Sequence, residues 1–357
     1  MDAHKIIERF KTLVDVPSPA GYTDMIIPVL ESYLEEIGIT ASRTRKGGLF
    51  FSIKGQEQKH PRMITAHIDT LGAMVKEVKS NGRLRIMKVG GFSWNVVEGE
   101  YCTILTRDGK KITGTLLPVY ASAHLSEEYE KMPRTEELME IRLDIPVHTA
   151  EDVRAHGIEV GDFVVFYHRM VASDSGFIKS RYLDNKINVA ILLETLAEIK
   201  RSGTELPVTT YFYINTHEEI GYGGNSNISP EVNEYLALDI GIVGPGQRSS
   251  EYEVSFCAMD SSGPYDREFI RFFVELAERH RVPHKIDIFP YYKSNASAAL
   301  ASGHDLIRGL IGPGVDASHS LERTHTESVE HTARLLHLYL TTPSPVYLTQ
   351  YGKLERK

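Results

Sequence analysis

An apolar, β-branched run that ends in two adjacent acids constrains this sequence most. Residues 206–215 read Leu-Pro-Val-Thr-Thr-Tyr-Phe-Tyr-Ile-Asn, which predicts a buried strand. Glu218 and Glu219 follow before a glycine-rich turn, at the sheet edge where open α/β sheets form ligand sites. Neighbouring side chains on an extended chain point in different directions, so one acid can bind a metal while the other handles a proton. A bare glutamate pair is usually only solvated, and the prediction therefore depends on what else ends at this edge.

Three other apolar segments carry candidate metal ligands. His67 ends a short predicted strand, and the Asp69 carboxylate two residues later can fix the tautomer of a metal-bound histidine. Asp184 precedes a predicted helix, Ile187 to Lys200, and Asp239 lies inside an apolar strand, where an unpaired acid is costly. Taken singly, these residues also fit a core histidine, a helix cap and a salt-bridge partner. Their shared position at the ends of apolar strands favours a metal site.

Two histidines near the C-terminus extend the candidate set. His319 lies in a loop, and His325 directly precedes a predicted helix, Glu327 to Leu340; either can be a ligand. Imidazole and carboxylate ligands together suit a pair of Zn²⁺ or Co²⁺ ions. A bridging aspartate can hold two ions around one water, and the two ions then lower the pKa of that water. Glu218 can then take the proton and pass it to a leaving amine, which describes amide hydrolysis.

The composition is typical of a soluble enzyme. At 357 residues and 41% hydrophobic, the chain can bury one large core and one smaller one. With 40 basic and 48 acidic residues, the net charge of −8 argues against general binding to nucleic acid or to membrane surfaces. Cys102 and Cys257 provide no disulfide framework and are expected to be buried. Without an apolar signal core or a membrane-spanning stretch, the cytoplasm is the expected location.

The order of predicted elements gives an α/β fold that is interrupted by a β-rich insertion. Residues 1–72 read as helix, helix, strand, strand and form the first part of the catalytic domain. Residues 73–172 are short alternating segments with turn dipeptides, which predict a small β domain. Strand–helix alternation resumes over 173–357, including a charged amphipathic helix from Asp266 to Arg281. The insertion therefore falls between the first and second candidate metal motifs.

These segments resemble the successive motifs of the M42 family of metallo-aminopeptidases. In chain order, the matching motifs are His67-Ile-Asp69, Leu183-Asp184-Asn185-Lys186, Glu218-Glu219-Ile-Gly, Leu238-Asp239-Ile and Glu322-Arg-Thr-His325. The resemblance implies a mixed-sheet, phosphorylase/hydrolase-like domain that binds two metals and carries an inserted β-rich domain. It also implies release of the N-terminal residue from short peptides by a homo-oligomer, in many members a closed shell of twelve subunits with dimer contacts through the insertion.

The same resemblance implies a role for each candidate residue. Two divalent ions, zinc or cobalt, are expected per chain, and their implied ligands are His67, Asp184, Glu219, Asp239 and His325. Asp184 is expected to bridge the ions, and Glu218 is expected to be the general base. Asp69 is expected to support His67 from behind. His319 is then expected to contact the substrate or to support one of the metal ligands from behind.

The sequence departs from the family pattern in three places, none of which removes an implied ligand. Asn185-Lys186 stands where Asp-Arg is frequent, Asn295 stands where an acid is expected, and Glu322-Arg-Thr-His325 replaces Arg-Tyr-x-His-Ser-Pro. These departures leave the preferred N-terminal residue open. Residues 244–250 and 289–295 are candidates for the pocket of the first side chain, with Arg248 or Lys293 suited to acidic substrates.

Related chemistry leaves two alternatives. An M20-type acyl-amino-acid deacylase or carboxypeptidase uses a similar ligand set, but its extra domain follows the Glu-Glu motif, whereas here the insertion lies between His67 and Asp184. A binding scaffold without metals, or a glucanase, is the second alternative. The complete ligand set argues against a dead scaffold, and a glycosidase needs two carboxylates that flank a sugar bond.

Overall fold

The computed structural model describes residues 2–125, 127, 129–343, 347–348 and 354–355. The helices are α1 (Ala3–Val14), α2 (Ile27–Glu36), α3 (Ala150–Ala155), α4 (Leu183–Ser202), α5 (Arg267–Arg279), α6 (Asn295–Ala301) and α7 (Thr326–Thr341). Short 3-10 turns span Trp94–Val96, Glu136–Leu138 and Glu218–Ile220.

The strands follow in chain order. They are β1 (Ser42–Arg43), β2 (Leu49–Ile53), β3 (Gly55–His67), β4 (Gly72–Val78), β5 (Leu84–Val89), β6 (Tyr101–Leu105), β7 (Lys111–Pro118), β8 (Met139–Leu143), β9 (Phe163–Phe166), β10 (Val171–Ala172), β11 (Phe177–Ser180), β12 (Leu206–Asn215), β13 (Glu234–Leu238), β14 (Gly241–Val243), β15 (Val254–Asp260), β16 (Gly263–Pro264), β17 (His284–Phe289), β18 (Ile307–Asp316), β19 (Glu322–His325), β20 (Tyr347–Leu348) and β21 (Leu354–Glu355).

A large mixed sheet forms the centre of the molecule. Its main path is β1-β2-β12-β3-β13-β18-β19-β11-β10, and β14 to β17 join it beside β18 and β15. The strands β12, β3, β13 and β18 run parallel to one another. Because parallel strands place their carboxyl ends at one edge, the segments after β3, β12 and β13 meet there. The mixed α/β fold predicted from the sequence is confirmed.

Helices bury the apolar faces of this sheet. The central helix α4 is buried on most sides and packs against α1, α7 and β3. The amphipathic helix α5 buries Phe269, Phe273 and Leu276. It begins one residue later than predicted because the Asp266 carboxylate caps it by accepting from Phe269 N at 2.8 Å. Among the described residues, no helix combines the length and the apolar character needed to cross a membrane.

A six-stranded barrel interrupts the chain between His67 and Asp184. Its closed order is β4-β5-β8-β7-β6-β9, and its neighbouring strands pair antiparallel. Alternating inward side chains fill it, among them the fully buried Ile86, Ile104 and Ile141. A β-rich insertion at this point of the chain was expected. The domain boundaries at 72/73 and 172/173 stay predictions, and β10, at the end of that span, pairs with β11 in the large sheet.

The predicted strand around Asp239 is divided in two. β13 ends at Leu238 and β14 begins at Gly241, so Asp239 lies in the short break rather than inside a strand. The neighbouring strand β18 runs unusually close here. Asp239 N donates to Ile311 O at 3.1 Å, and a Cβ atom on Gly312 would lie only 1.7 Å from Asp239 O. The absence of a side chain at 312 therefore allows the backbone that carries Asp239 to reach its place.

We predict that Gly312→Ala destabilises the protein by at least about 1–3 kcal/mol, the usual cost of forcing an extra methyl group into a packed interior. Gly244→Ala is the matched control, because a Cβ atom there would meet nothing within 4 Å. Urea denaturation midpoints of both variants provide the measurement. Equal midpoints for the two variants would show that the close approach at Asp239 is not a constraint.

Candidate metal centre

The candidate site is built where the carboxyl ends of three parallel strands meet. His67 is the last residue of β3, and Asp69 follows it by two positions. Glu218 and Glu219 form the single 3-10 turn after β12, and Asp239 follows β13 directly. Sequence reasoning predicted that these five side chains share one edge, and the structure brings them together there.

Asp184 reaches the same place from the start of α4. Asp184 and Asn185 have non-helical backbone angles, and the peptide bond between them is cis. Asn185 Nδ2 donates to Leu238 O at 2.7 Å, which holds the start of α4 against the end of β13. The Asp184 side chain thereby comes to lie between two histidines: its Oδ1 is 3.1 Å from His67 Nε2, and its Oδ2 is 3.4 Å from His319 Nε2.

The candidate ligands form two groups that share Asp184. One group is His67, Asp184 and Asp239, and the other is Asp184, Glu219 and His319. Within each group, one ligand atom from every residue lies within 4.8 Å of the others. This arrangement suits two cations that share one carboxylate. Glu218 belongs to neither group, although its Oε2 lies 3.7 Å from His67 Nε2.

Both histidines turn the same ring nitrogen toward the carboxylates. His67 Nδ1 lies 3.1 Å from Asp69 O, and His319 Nδ1 lies 2.5 Å from Gly91 O. A carbonyl oxygen can only accept, so each Nδ1 carries the proton. In the neutral imidazole, Nε2 then carries the lone pair, and in both rings this atom faces Asp184. This is the orientation of a metal-bound histidine whose other nitrogen is fixed by a backbone carbonyl.

Asp69 organises the two glutamates through their backbone. Its Oδ1 accepts from Glu218 N at 3.2 Å, and its Oδ2 accepts from Glu219 N at 3.1 Å. The same carboxylate lies 3.5 Å from His67 Nδ1. Because Asp69 is fully buried, these protein groups are what its carboxylate contacts. The geometry fits the supporting role that the sequence suggested for Asp69, extended from His67 to the turn with the glutamates.

Crowding of acids changes the protonation of the carboxyl groups. Burial raises the pKa of Glu218 to about 8, and the carboxylates of Asp239 and Asp184 contribute in the same direction. Burial and the Asp184 charge also raise the pKa of Asp239 to about 7. The pKa of Glu219 is likewise raised well above its usual value by burial. These shifts mark a cluster with an excess of negative charge when no cation is bound.

The histidines and Asp184 shift in the opposite sense. Burial alone would lower the pKa of His319, but the carboxylates of Glu219 and Asp184 outweigh it and raise that pKa to about 11. The pKa of His67 is raised for the same reason, chiefly by Glu218 and Asp184 against its burial. For Asp184, burial is outweighed by the two histidines, and its pKa falls well below the usual range. The cluster thus attracts positive charge strongly.

The residues present fit a pair of divalent metal ions. Two imidazole nitrogens and several carboxylates are the donors that zinc and similar ions prefer. Glu219 Oε1 is buried and has no hydrogen-bond partner among the residues that the structure describes. A buried acceptor without a donor is rare in folded proteins, and a cation between Glu219, Asp184 and His319 would satisfy it.

The structure places His325 outside both ligand groups, unlike the sequence prediction. Its Nε2 lies 2.9 Å from Ser175 O, and its Nδ1 accepts from Glu327 N at 3.2 Å, which caps α7. Its ring also packs against Phe177 and Tyr252, with centroid distances of 5.0 and 4.7 Å. Both nitrogens are therefore engaged in local structure, and no lone pair is left to face the cluster.

His319 occupies the position expected for His325, and Glu322 supports it. Glu322 Oε1 accepts from His319 N at 2.9 Å, and its Oε2 accepts from Asp184 N at 3.1 Å. Burial raises the pKa of Glu322 to about 8. Sequence reasoning quoted Glu322 only as part of a motif and missed this role. The available signal was an acid three residues after a loop histidine, a spacing that allows the carboxylate to reach the histidine backbone.

The family model for M42 glutamyl aminopeptidase matches residues 47–335. The chain belongs to the M42 family. Members of this family are metal-dependent aminopeptidases, and this chain is a peptide hydrolase. YhfE of Bacillus subtilis (strain 168), a proposed aminopeptidase, is 52% identical over 339 residues, which cover 95% of this chain and 98% of YhfE.

Solved structures share the fold at lower identity. A TET aminopeptidase from a marine sediment archaeon of the Thaumarchaeota gives a TM-score of 0.85 at 20% identity, covering 94% of this chain and 97% of that chain. The TET1 peptidase of Pyrococcus horikoshii, which can assemble into a tetrahedron or a large octahedral shell, gives 0.83 at 21% identity over 95% of this chain and 100% of that chain.

A cavity of about 330 Å³ opens beside the ligands of this M42 protein. Glu218, Asp239 and His319 line this cavity together with residues 291–295. Of the two predicted pocket segments, 289–295 therefore contributes to the wall, whereas 244–250 does not line it. Larger clefts of about 970 and 690 Å³ lie elsewhere, but neither contains a residue of the ligand groups.

We predict that replacing each of the two C-terminal histidines has a different effect on metal binding. His319→Ala should lose one of two bound ions, because it removes the only imidazole of the second ligand group. His325→Ala should keep both ions but lose about 0.5–2 kcal/mol of stability with the cap of α7. Elemental analysis after zinc reconstitution, together with urea denaturation, measures both effects. An ion lost from His325→Ala and retained in His319→Ala would reverse the assignment.

Proposed function

We propose that this chain is a two-metal aminopeptidase that removes the N-terminal residue from short peptides in the cytoplasm. One observation carries the proposal: two ligand groups share Asp184, while Glu218 stands beside them without belonging to either. The proposed ligands are His67, Asp184, Glu219, Asp239 and His319. Zinc or cobalt suits this mixture of imidazole and carboxylate donors.

Glu218 is proposed to move the proton during hydrolysis. When bound, two divalent ions would polarise the scissile carbonyl and lower the pKa of a water molecule. Glu218 accepts a proton from that water and delivers it to the leaving amine. Its carboxyl group lines the cavity beside the ligand groups, where a general base can meet a bound peptide. Asp69 holds the backbone of Glu218, so the carboxylate stays directed at the cavity.

The proposal is tested with an amino-acid p-nitroanilide and its N-acetylated counterpart, each with and without a chelator. An aminopeptidase cleaves only the substrate with a free amine and loses activity with the chelator. Release of acetate from an N-acetyl amino acid, with no p-nitroaniline released from the substrate with a free amine, would favour an M20-type deacylase. A parallel assay uses β-glucan as the substrate. Hydrolysis of glucan at the same rate with and without the chelator would overturn the proposal of a metal-dependent peptidase.

We predict that Glu218→Gln lowers kcat by about 10²–10⁴-fold, because the amide is isosteric but cannot accept a proton. Its metal content should equal that of the parent protein, since Glu218 belongs to neither ligand group. Glu330→Gln, an exposed change on α7, is the matched control and should leave both quantities unchanged. Steady-state kinetics measures kcat, and elemental analysis measures the metal content. Near-parental kcat in Glu218→Gln would show that another group is the base.

The inserted barrel is proposed to supply an oligomer interface. It exposes several large apolar side chains, among them Met87, Tyr101 and Tyr167, which are each more than half exposed. Tyr101 and Tyr167 are neighbours, since Tyr167 N donates to Tyr101 O at 2.9 Å, and contiguous exposed apolar groups mark contact surfaces. A homo-oligomer, with twelve subunits as one closed form, would restrict access to short peptides.

We predict that light scattering at micromolar concentration gives a mass several times that of one 40.1 kDa chain. The pair Tyr101→Lys and Tyr167→Lys should lower that mass, since a charged group is costly to bury without a partner. Tyr291→Lys, at a fully exposed site outside the barrel, serves as the control. A strictly monomeric parent protein would contradict the proposal.

A further inference from the structure

The two glutamates of the site lie in a segment with little regular backbone pairing. Glu218 begins a single 3-10 turn, and positive φ angles flank this turn at His217 (72°) and Gly221 (93°). Inside the segment, Gly221 N donates to Glu218 O at 2.7 Å, and Tyr222 N donates to His217 O at 3.1 Å. Such a segment must be fixed by contacts from outside if its carboxylates are to stay in place.

Lys46 contacts this segment on both sides of the glutamates. It lies in the turn between β1 and β2. Its Nζ donates to Tyr222 O at 2.6 Å and to Asn225 Oδ1 at 2.8 Å, with a longer contact of 3.4 Å to Gly223 O. Its own carbonyl oxygen accepts from Thr216 Oγ1 at 2.6 Å. A single residue therefore joins the chain before the glutamates to the chain after them.

Lys46 and Asp69 hold complementary groups of the same turn. Asp69 accepts from the N–H groups of Glu218 and Glu219, whereas Lys46 donates to carbonyl oxygens just beyond them. Lys46 is partly buried, and it does not line the cavity beside the ligands. It therefore has no direct contact with a substrate in this cavity, and it acts on the reaction through the segment that it holds.

We propose that Lys46 is a positioning residue, which fixes the carboxylates of Glu218 and Glu219 by tying together the two ends of segment 216–225. The inference rests on the proposed role of Glu218 as the base. A displacement of about 1 Å at a reacting group costs on the order of 100-fold in rate. A side chain at 46 that cannot donate releases residues 222–225, while the bond from Thr216 to the backbone of residue 46 remains. The segment is then held at one end, and the catalytic carboxylate loses its fixed position.

Three variants test the proposal. Lys46→Met keeps the apolar stem but cannot donate, and it should lower kcat about 10- to 100-fold while KM stays within about threefold. Metal content should be unchanged. Lys46→Arg should restore most of the lost kcat, because a guanidinium group can donate to the same carbonyl oxygens. Lys54→Met, at an exposed position between β2 and β3, should behave like the parent enzyme.

Hydrogen–deuterium exchange provides a readout that does not need activity. Peptides that cover residues 216–225 should exchange faster in Lys46→Met than in the parent or in Lys54→Met. If the parent cleaves no amino-acid anilide, the proposed function fails, and exchange still decides whether Lys46 holds the segment. Unchanged exchange, or a kcat of Lys46→Met within twofold of the parent value, would overturn the inference. The inference would also be overturned if Lys46→Met lost metal in parallel with kcat, or if Lys46→Arg failed to restore kcat.

Discussion

Repulsion among buried carboxylates at one sheet edge is the constraint that the rest of this structure satisfies. Asp184, Glu218, Glu219 and Asp239 converge there, and the raised pKa values of the last three record the cost. Taking one unpaired charge out of water costs several kcal/mol. Such a cluster persists only if cations or donors compensate it, and the two imidazole rings and the N–H groups around Asp69 supply part of that compensation. Two divalent ions would supply the remainder.

The strand-end residues were predictable because their positions follow from short-range pattern. An apolar β-branched run ending at 215 predicts a strand, and parallel strands bring their carboxyl ends to one edge whatever lies between them in sequence. For this reason, His67, Glu218 and Asp239 could be grouped without coordinates. The break in the strand at Asp239 could not, because it depends on how closely β18 passes, which involves residues far away in sequence.

The choice between His319 and His325 illustrates a second limit. His325 directly precedes α7, and a residue there is a natural helix cap, so its structural role had a local signal. The orientation of His319 depends on Gly91, which lies 228 residues away in the chain, and on a positive φ of 62°. Neither can be inferred from the loop sequence. Spacing within a motif therefore identified the segment that reaches the cluster but not the residue whose ring faces Asp184.

The contact with Gly91 links the inserted segment to the candidate metal centre. Gly91 lies in the insertion, shortly after β5, and its carbonyl oxygen fixes His319 from the side away from Asp184. The preceding residue, Gly90, packs against Glu219, since a Cβ atom at position 90 would lie 3.3 Å from Glu219 O. The second ligand group therefore depends on how the barrel sits against the large sheet. A shift of Gly91 against the large sheet would therefore remove the acceptor that fixes Nδ1 of His319.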